Sequence, residues 1–169
     1  SAGAAYVAVQ MVAALAAAVV AGLFLGHSEE NSEHILSALT EPVLEGWLPG
    51  TMAEFFGTFL LVFVILLVAT SRRTVGNSYY GLAIAATVAG LMGIFGAFSP
   101  DFNPAVAISR AVTGCFGALN AEGSGWLAFQ QEFAFLAHST PRILLALIAQ
   151  GLGAFLAAWT FLAVFPEER

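Results

Sequence analysis

Charge is the scarcest property of this sequence. Only 9% of its 169 residues are charged, lysine does not occur, and the five basic residues are all arginines. Because a soluble domain carries about 25% charged residues, this composition argues against a soluble protein. The net charge of −6 offers no basic surface for nucleic acid, and we expect no nucleic-acid partner. The single cysteine, Cys115, excludes a disulfide within the chain.

Apolar residues make up 59% of the chain instead. A helix needs about 20 mostly apolar residues to cross the hydrocarbon core of a bilayer. Four segments have that length and character: residues 6–25, 52–70, 79–98 and 143–165. The sequence therefore predicts an all-α membrane protein in which residues 1–169 form a single domain. Its first partner is the lipid bilayer.

The few charges predict an orientation for these spans. Arg72 and Arg73 lie in the link between the second and third spans, so the positive-inside rule places that loop in the cytoplasm. The link at residues 27–50 carries five glutamates and no basic residue, which is typical of the outer side. The C-terminus at Arg169 is then cytoplasmic, in a plasma or inner membrane.

A shorter apolar segment follows the triplet Asn103-Pro104-Ala105. Asn is a strong helix N-cap and Pro is favoured at the first helical position, so a helix should begin at Pro104. We expect this helix to cover residues 104–113, which is too short to cross a membrane. Helix ends at membrane depth are tolerated only beside protein or a watery cavity, so the pattern predicts a re-entrant half-helix.

Two kinds of polar residue interrupt the spans. Glu54 lies near the outer end of the second span, where an unpaired carboxylate costs at least about 2.5 kcal/mol. It either reaches the headgroups or accepts hydrogen bonds from backbone N–H groups of the loop around Asn103. Gln10 and Gln150 align when the first and last spans are superposed, which suggests an inverted repeat. Alanine-rich spans resemble one another in any case, so that interpretation has an alternative.

Four further sequence segments occur in order. They are Tyr-Val-Ala-Val-Gln-Met at residues 6–11, Ala-Glu-Phe-Phe-Gly-Thr-Phe at residues 53–59, the Arg-containing link and Gly-Leu-Ala-Ile at residues 69–84, and Phe-Asn-Pro-Ala-Val at residues 102–106. In this order they resemble the aquaporin and glycerol-facilitator (major intrinsic protein) family. The resemblance runs from the family's third span to its C-terminus. It implies an aquaporin-like bundle, represented here by four transmembrane helices and one re-entrant half-helix.

The same resemblance implies an oligomeric state and further segments of the pore. Members of the family form homotetramers with a pore in each subunit, so we expect a homotetramer. The family's first two spans and first half-helix have no counterpart here. We expect the chain to be part of a longer protein whose N-terminal half completes the pore. The alternative is a half-length relative of the family that pairs with another chain.

The resemblance also implies the pore-lining residues. Asn103 offers its side-chain NH₂ to the oxygen of a passing solute, beside the positive end of the half-helix. The arginine that usually follows the triplet is replaced by Val106, and Arg110 lies one turn further on, where it either supplies the charge or anchors the helix at the interface. The full predicted set is Leu91, Met92, Pro100, Asn103, Pro104, Ala105, Val106 and Arg110, with Glu54 supporting the loop.

This apolar set favours a passive channel for water and small neutral solutes such as glycerol. An ion-coupled secondary transporter and a non-conducting structural membrane protein are the alternatives, and the first would need a titratable group deeper in a span than Glu54. No cluster of His, Cys and carboxylate residues occurs in the spans. We therefore expect no enzymatic activity, cofactor or metal. Trp126, Phe129, Phe133 and Leu136 recur near helical spacing. They predict a short amphipathic helix at the outer membrane interface or over the pore vestibule.

Overall fold

A computed structural model describes residues 2–25, 47–98, 101–119 and 125–169 of the chain. The described residues form helices and turns, with no strand among them. Three helices are long and apolar enough to cross a membrane, over Ala4–Ala21, Trp47–Thr70 and Thr140–Val164. The chain is thus an all-helical protein with candidate membrane spans, as its composition predicts.

The described helices are named here in chain order. They are α1 (Ala2–Leu25), α2 (Trp47–Ile65, extended by a π-helical turn over Leu66–Thr70), α3 (Tyr80–Phe95), α4 (Pro104–Leu119) and α5 (Gly125–Val164). Short 3₁₀ turns cover Arg72–Thr74, Gly96–Phe98 and Pro166–Glu168. Most of the predicted outer link at residues 27–50 lies outside the described residues.

Helix α3 is shorter than the span predicted over residues 79–98. It has 16 residues, or about 24 Å at 1.5 Å per residue, and ends in the 3₁₀ turn at Gly96. The Tyr79 N–H donates to Asn77 Oδ1 at 3.2 Å, so a turn occupies its start. By length, the third predicted span is therefore a shorter apolar helix than the other three.

Two helices run further than the sequence predicts. Helix α4 begins at Pro104 but ends at Leu119 rather than near Thr113, whose hydroxyl donates to the Ser109 carbonyl at 2.9 Å within the helix. Helix α5 joins the predicted amphipathic helix to the last predicted span, with Pro141 inside it. A proline removes one backbone hydrogen bond, a loss that long membrane helices accommodate.

The chain divides into two compact units. The first comprises Ser1–Val43 and Asn103–Ile143, and in it α1 packs against α4. Small residues are buried on both helices: Ala18 on α1, and Ala105 and Ala107 on α4. The Thr113 hydroxyl donates to the Ala18 carbonyl at 3.5 Å. Small side chains allow the two backbones to approach this closely.

The second unit comprises Leu44–Phe102 and Leu144–Arg169. Here the latter part of α5 packs against α2 at Gly153, where a Cβ atom would overlap the Phe55 carbonyl and lie 3.1 Å from the Phe59 nitrogen. Rings of Phe63 and Phe161 meet edge-to-face at 6.4 Å further along. This tight crossing sets the spacing between α2 and α5, the two helices that carry the buried polar residues described below.

A second contact joins the 3₁₀ turn after α5, Pro166–Glu168, to the link between α2 and α3. The Ser71 hydroxyl donates to Glu168 Oε1 at 2.6 Å, and the Arg72 N–H donates to both carboxylate oxygens of Glu168 at 3.0 and 3.1 Å. The Ser71 hydrogen bond, followed by the Arg72 N–H, lowers the pKa of Glu168 below its ordinary value. Arg73 forms an ion pair with Glu167. The link is therefore anchored at the end of α5.

Candidate functional site

Glu54 on α2 is the only charged side chain that is buried among the described residues, with 5% of its surface exposed. Its Oε1 accepts from the Asp101 N–H at 2.8 Å. Its Oε2 accepts from the Phe102 N–H and from Gln150 Nε2, both at 2.9 Å. A carboxylate in a membrane helix needs such donors, because unpaired charge is costly there. Glu54 thus holds the backbone of the loop that precedes Asn103.

Phe102 has a strained backbone conformation in this loop. It has φ 53°, the one positive φ of a non-glycine residue in the described part of the chain. A bulky residue in this region costs about 1–3 kcal/mol. Its carbonyl accepts from the Thr58 hydroxyl at 3.4 Å, and its ring meets Phe95 edge-to-face at 6.4 Å. The strained conformation is therefore held at its N–H, its carbonyl and its ring.

One face of α2 supplies these restraints. Glu54, Gly57 and Thr58 are spaced i, i+3 and i+4, so they lie on the same side of the helix, and all three are buried. Gly57 leaves space for the Phe102 ring, since a Cβ there would overlap ring atoms. The sequence did not reveal the role of Thr58. Its i+4 spacing from Glu54 was the signal that could have revealed it.

Gly57 gives a direct test of this packing. Replacing Gly57 by Ala puts a methyl group into the Phe102 ring, and overpacking of this kind costs about 1–3 kcal/mol. We expect a lower melting temperature in detergent, followed by circular dichroism. Gly90→Ala on α3 is the matched control, because no heavy atom lies within 4 Å of a Cβ there. Equal melting temperatures for the two variants would contradict the packing described.

Gln150 reaches Glu54 from α5 and is 1% exposed. Its amide orientation follows from chemistry, because a carboxylate only accepts hydrogen bonds and must face the nitrogen. The other amide atom, Oε1, is buried and has no hydrogen-bond partner among the described residues. The sequence shows Gln150 as a polar residue within the last span, and the structure gives it a hydrogen-bond partner on α2.

Asn103 follows Phe102 directly and starts α4. Its Oδ1 accepts from the Ala105 N–H at 2.9 Å, and its carbonyl accepts from the N–H groups of Val106 and Ala107 at 3.0 and 3.1 Å. This is the geometry of an N-cap, and it explains why the helix begins at Pro104. The cap uses the side-chain oxygen and not the NH₂ group, so these two donors are left for other interactions.

The other residues of the predicted pore-lining set differ in how far their side chains are exposed. On α4, Ala105 is buried, Pro104 is exposed, Val106 is 45% exposed and Arg110 is half-buried with a partner of its own. On α3, Leu91 is buried whereas its neighbour Met92 is 47% exposed. Pro100 lies outside the described residues. That these side chains line one pore stays a prediction.

The buried carboxylate of Glu54 already accepts hydrogen bonds from three N–H donors. The groups that this site can offer to a ligand are therefore backbone groups and side-chain amides. Within the described ranges, no group of three or more His, Cys, Asp or Glu residues lies together as a metal site would require.

Searches against protein-family models, curated proteins and solved structures found no match to this chain.

Proposed function

We propose that this protein is a passive channel for water and small neutral solutes such as glycerol. It would act as members of the aquaporin-like family do, which its sequence resembles. One observation carries the proposal. A buried carboxylate on a membrane-length helix holds the N–H groups of Asp101 and Phe102, and the next residue caps a helix that begins with Pro104. This combination positions a helix start and an amide without supplying catalytic groups.

The loop would work by giving the solute replacement hydrogen bonds. The side-chain oxygen of Asn103 is used by the N-cap, so its NH₂ group is the donor offered to the solute. This donor offsets part of the dehydration of a small neutral molecule.

The same site would oppose cations and protons. The N-terminus of α4 carries a partial positive charge, roughly half an elementary charge for a full helix dipole. Positive half-helix ends in a narrow path raise the energy of a cation, whereas a neutral solute is little affected. We therefore propose flux without electrical current.

Val106 would set the range of solutes. It stands where the family usually has an arginine, so this position supplies neither a charge nor N–H donors. A less hydrated position at the mouth favours solutes with some apolar surface, such as glycerol, beside water. On the same helix, Arg110 would add charge one turn further along α4.

The assembly is proposed on the same basis. The chain would lie in a plasma or inner membrane with the Arg72–Arg73 link and Arg169 in the cytoplasm. Homotetramers are proposed from the family resemblance, with a pore in each subunit. Functional tests use the full-length protein.

Stopped-flow light scattering on liposomes tests the proposal. The full-length protein should accelerate water and glycerol flux above that of empty liposomes, with no current across planar bilayers. Val106→Arg should reduce glycerol flux more than water flux, because it adds a bulky hydrated charge. Val106→Met is the control for size without charge and should preserve more of the glycerol flux.

Other outcomes would assign a different function. Flux equal to that of empty liposomes would favour a structural membrane protein. Current or proton-dependent accumulation of solute would favour an ion-coupled transporter. If Val106→Arg left the glycerol-to-water ratio unchanged, Val106 would not belong to the selective region.

A further inference from the structure

The two polar atoms of the Gln150 side chain differ in their hydrogen bonding. Its Nε2 donates to Glu54 Oε2 at 2.9 Å, whereas its Oε1 is buried without a hydrogen-bond partner among the described residues. A buried unpaired acceptor is unfavourable. A Leu or Met side chain would fill similar space without an unpaired acceptor. The donor to Glu54 is thus the interaction that distinguishes glutamine from an apolar residue at this position.

That donor acts on the oxygen that holds the strained residue. Glu54 Oε2 accepts from both Gln150 and the Phe102 N–H, while Oε1 accepts from the Asp101 N–H. The terminal torsion of a glutamate side chain is soft, so hydrogen bonds decide the orientation of the carboxylate plane. A fixed donor on Oε2 from α5 keeps that plane aligned with both loop N–H groups.

We infer that Gln150 is a positioning residue that acts through Glu54 on the Asp101–Phe102 loop, and so on Asn103 that follows. The part concerning solute passage rests on the proposed function. Phe102 has φ 53° and would leave that conformation once its N–H lost a fixed acceptor. Gln150 contacts the carboxylate and not the solute. Its effect is therefore on the fraction of molecules whose loop is correctly placed.

Gln150→Glu tests this inference, because it keeps the shape and replaces the donor by a second carboxyl group. Two ionised carboxyl groups at hydrogen-bond distance repel each other, so at acid pH the pair binds a proton. When protonated, the new carboxylic acid donates its O–H to Glu54 and restores the contact. When ionised, it repels Glu54 and releases the loop.

The other titratable groups near this contact are few. Asp101 lies on the same loop as Phe102, and α5 has no titratable residue from Ile143 to Phe165. The segment of α3 from Gly81 to Phe98 has none either. A pH dependence that is present in Gln150→Glu and absent from the wild type therefore reports on the pair formed by residues 54 and 150.

Glycerol flux of the full-length protein in liposomes should separate the variants. Relative to wild type at the same pH, Gln150→Glu should conduct about tenfold less at pH 8 than at pH 5, the factor expected for losing a hydrogen bond to a charged group. Gln150→Leu should be impaired at both pH values, because it cannot regain a donor. A variant that recovers in acid in the same preparation is folded, so recovery excludes simple misfolding.

Hydrogen–deuterium exchange of residues 101–103 in nanodiscs gives a readout that does not depend on conduction. Protection of this segment in Gln150→Glu should be low at pH 8 and restored at pH 5. Unchanged protection at both pH values, or equal loss at both, would overturn the positioning role. If the wild type does not conduct but the exchange pattern holds, the proposed function fails and the positioning role stands. If the wild type conducts and both readouts of the variant ignore pH, the inference alone fails.

Discussion

Replacing Glu54 by Leu should abolish solute flux and destabilise the protein by about 3–5 kcal/mol. The substitution leaves the N–H groups of Asp101 and Phe102 and the Gln150 amide buried without their acceptor. Each buried donor left unpaired costs about 1–3 kcal/mol. We expect a lower melting temperature in detergent and flux equal to that of empty liposomes.

Two variants serve as controls for this result. Glu54→Gln keeps one acceptor oxygen but turns an NH₂ group toward a donor, so its stability and flux should fall between those of wild type and Glu54→Leu. Glu167→Gln removes an exposed carboxylate whose ion pair with Arg73 contributes at most about 1 kcal/mol. A Glu54→Leu protein that melted and conducted like Glu167→Gln would show that the carboxylate does not hold the loop.

The balance of energies explains why Phe102 stays strained. A non-glycine residue at φ 53° costs about 1–3 kcal/mol. Hydrogen bonds to a charged group contribute about 1.5–3 kcal/mol each, and Phe102 donates one of these to Glu54 while its ring is buried beside Gly57. The favourable contacts therefore exceed the strain. Loss of Glu54 or a methyl group at Gly57 shifts the balance toward a relaxed loop.

Features decided by local chemistry could be predicted from the sequence. The membrane character follows from composition, and the start of α4 at Pro104 follows from the capping preference of Asn103. The high cost of an unpaired carboxylate in a span led to the expectation that Glu54 accepts hydrogen bonds from the loop or reaches the headgroups. The structure contains the first of these arrangements.

Features decided by distant contacts could not be predicted. The positive φ of Phe102 depends on Glu54, Gly57 and Thr58, which are more than 40 residues away in the sequence. No local pattern distinguishes Gly57 from other glycines that allow close packing. Helix ends were similarly uncertain, because α4 continues past Thr113 and α5 continues through Pro141 without a residue that forces termination.

Glycerol flux through Asn103→Asp tests the central claim most directly. Aspartate caps a helix as well as asparagine does, so Ala105 keeps its acceptor and α4 should still begin at Pro104. The substitution replaces the two N–H donors of the side chain by a negative oxygen. We predict an unchanged melting temperature and flux lower by at least about tenfold, since the solute loses a donor and meets a charge. Wild-type flux in a stable Asn103→Asp protein would contradict a channel built on this amide.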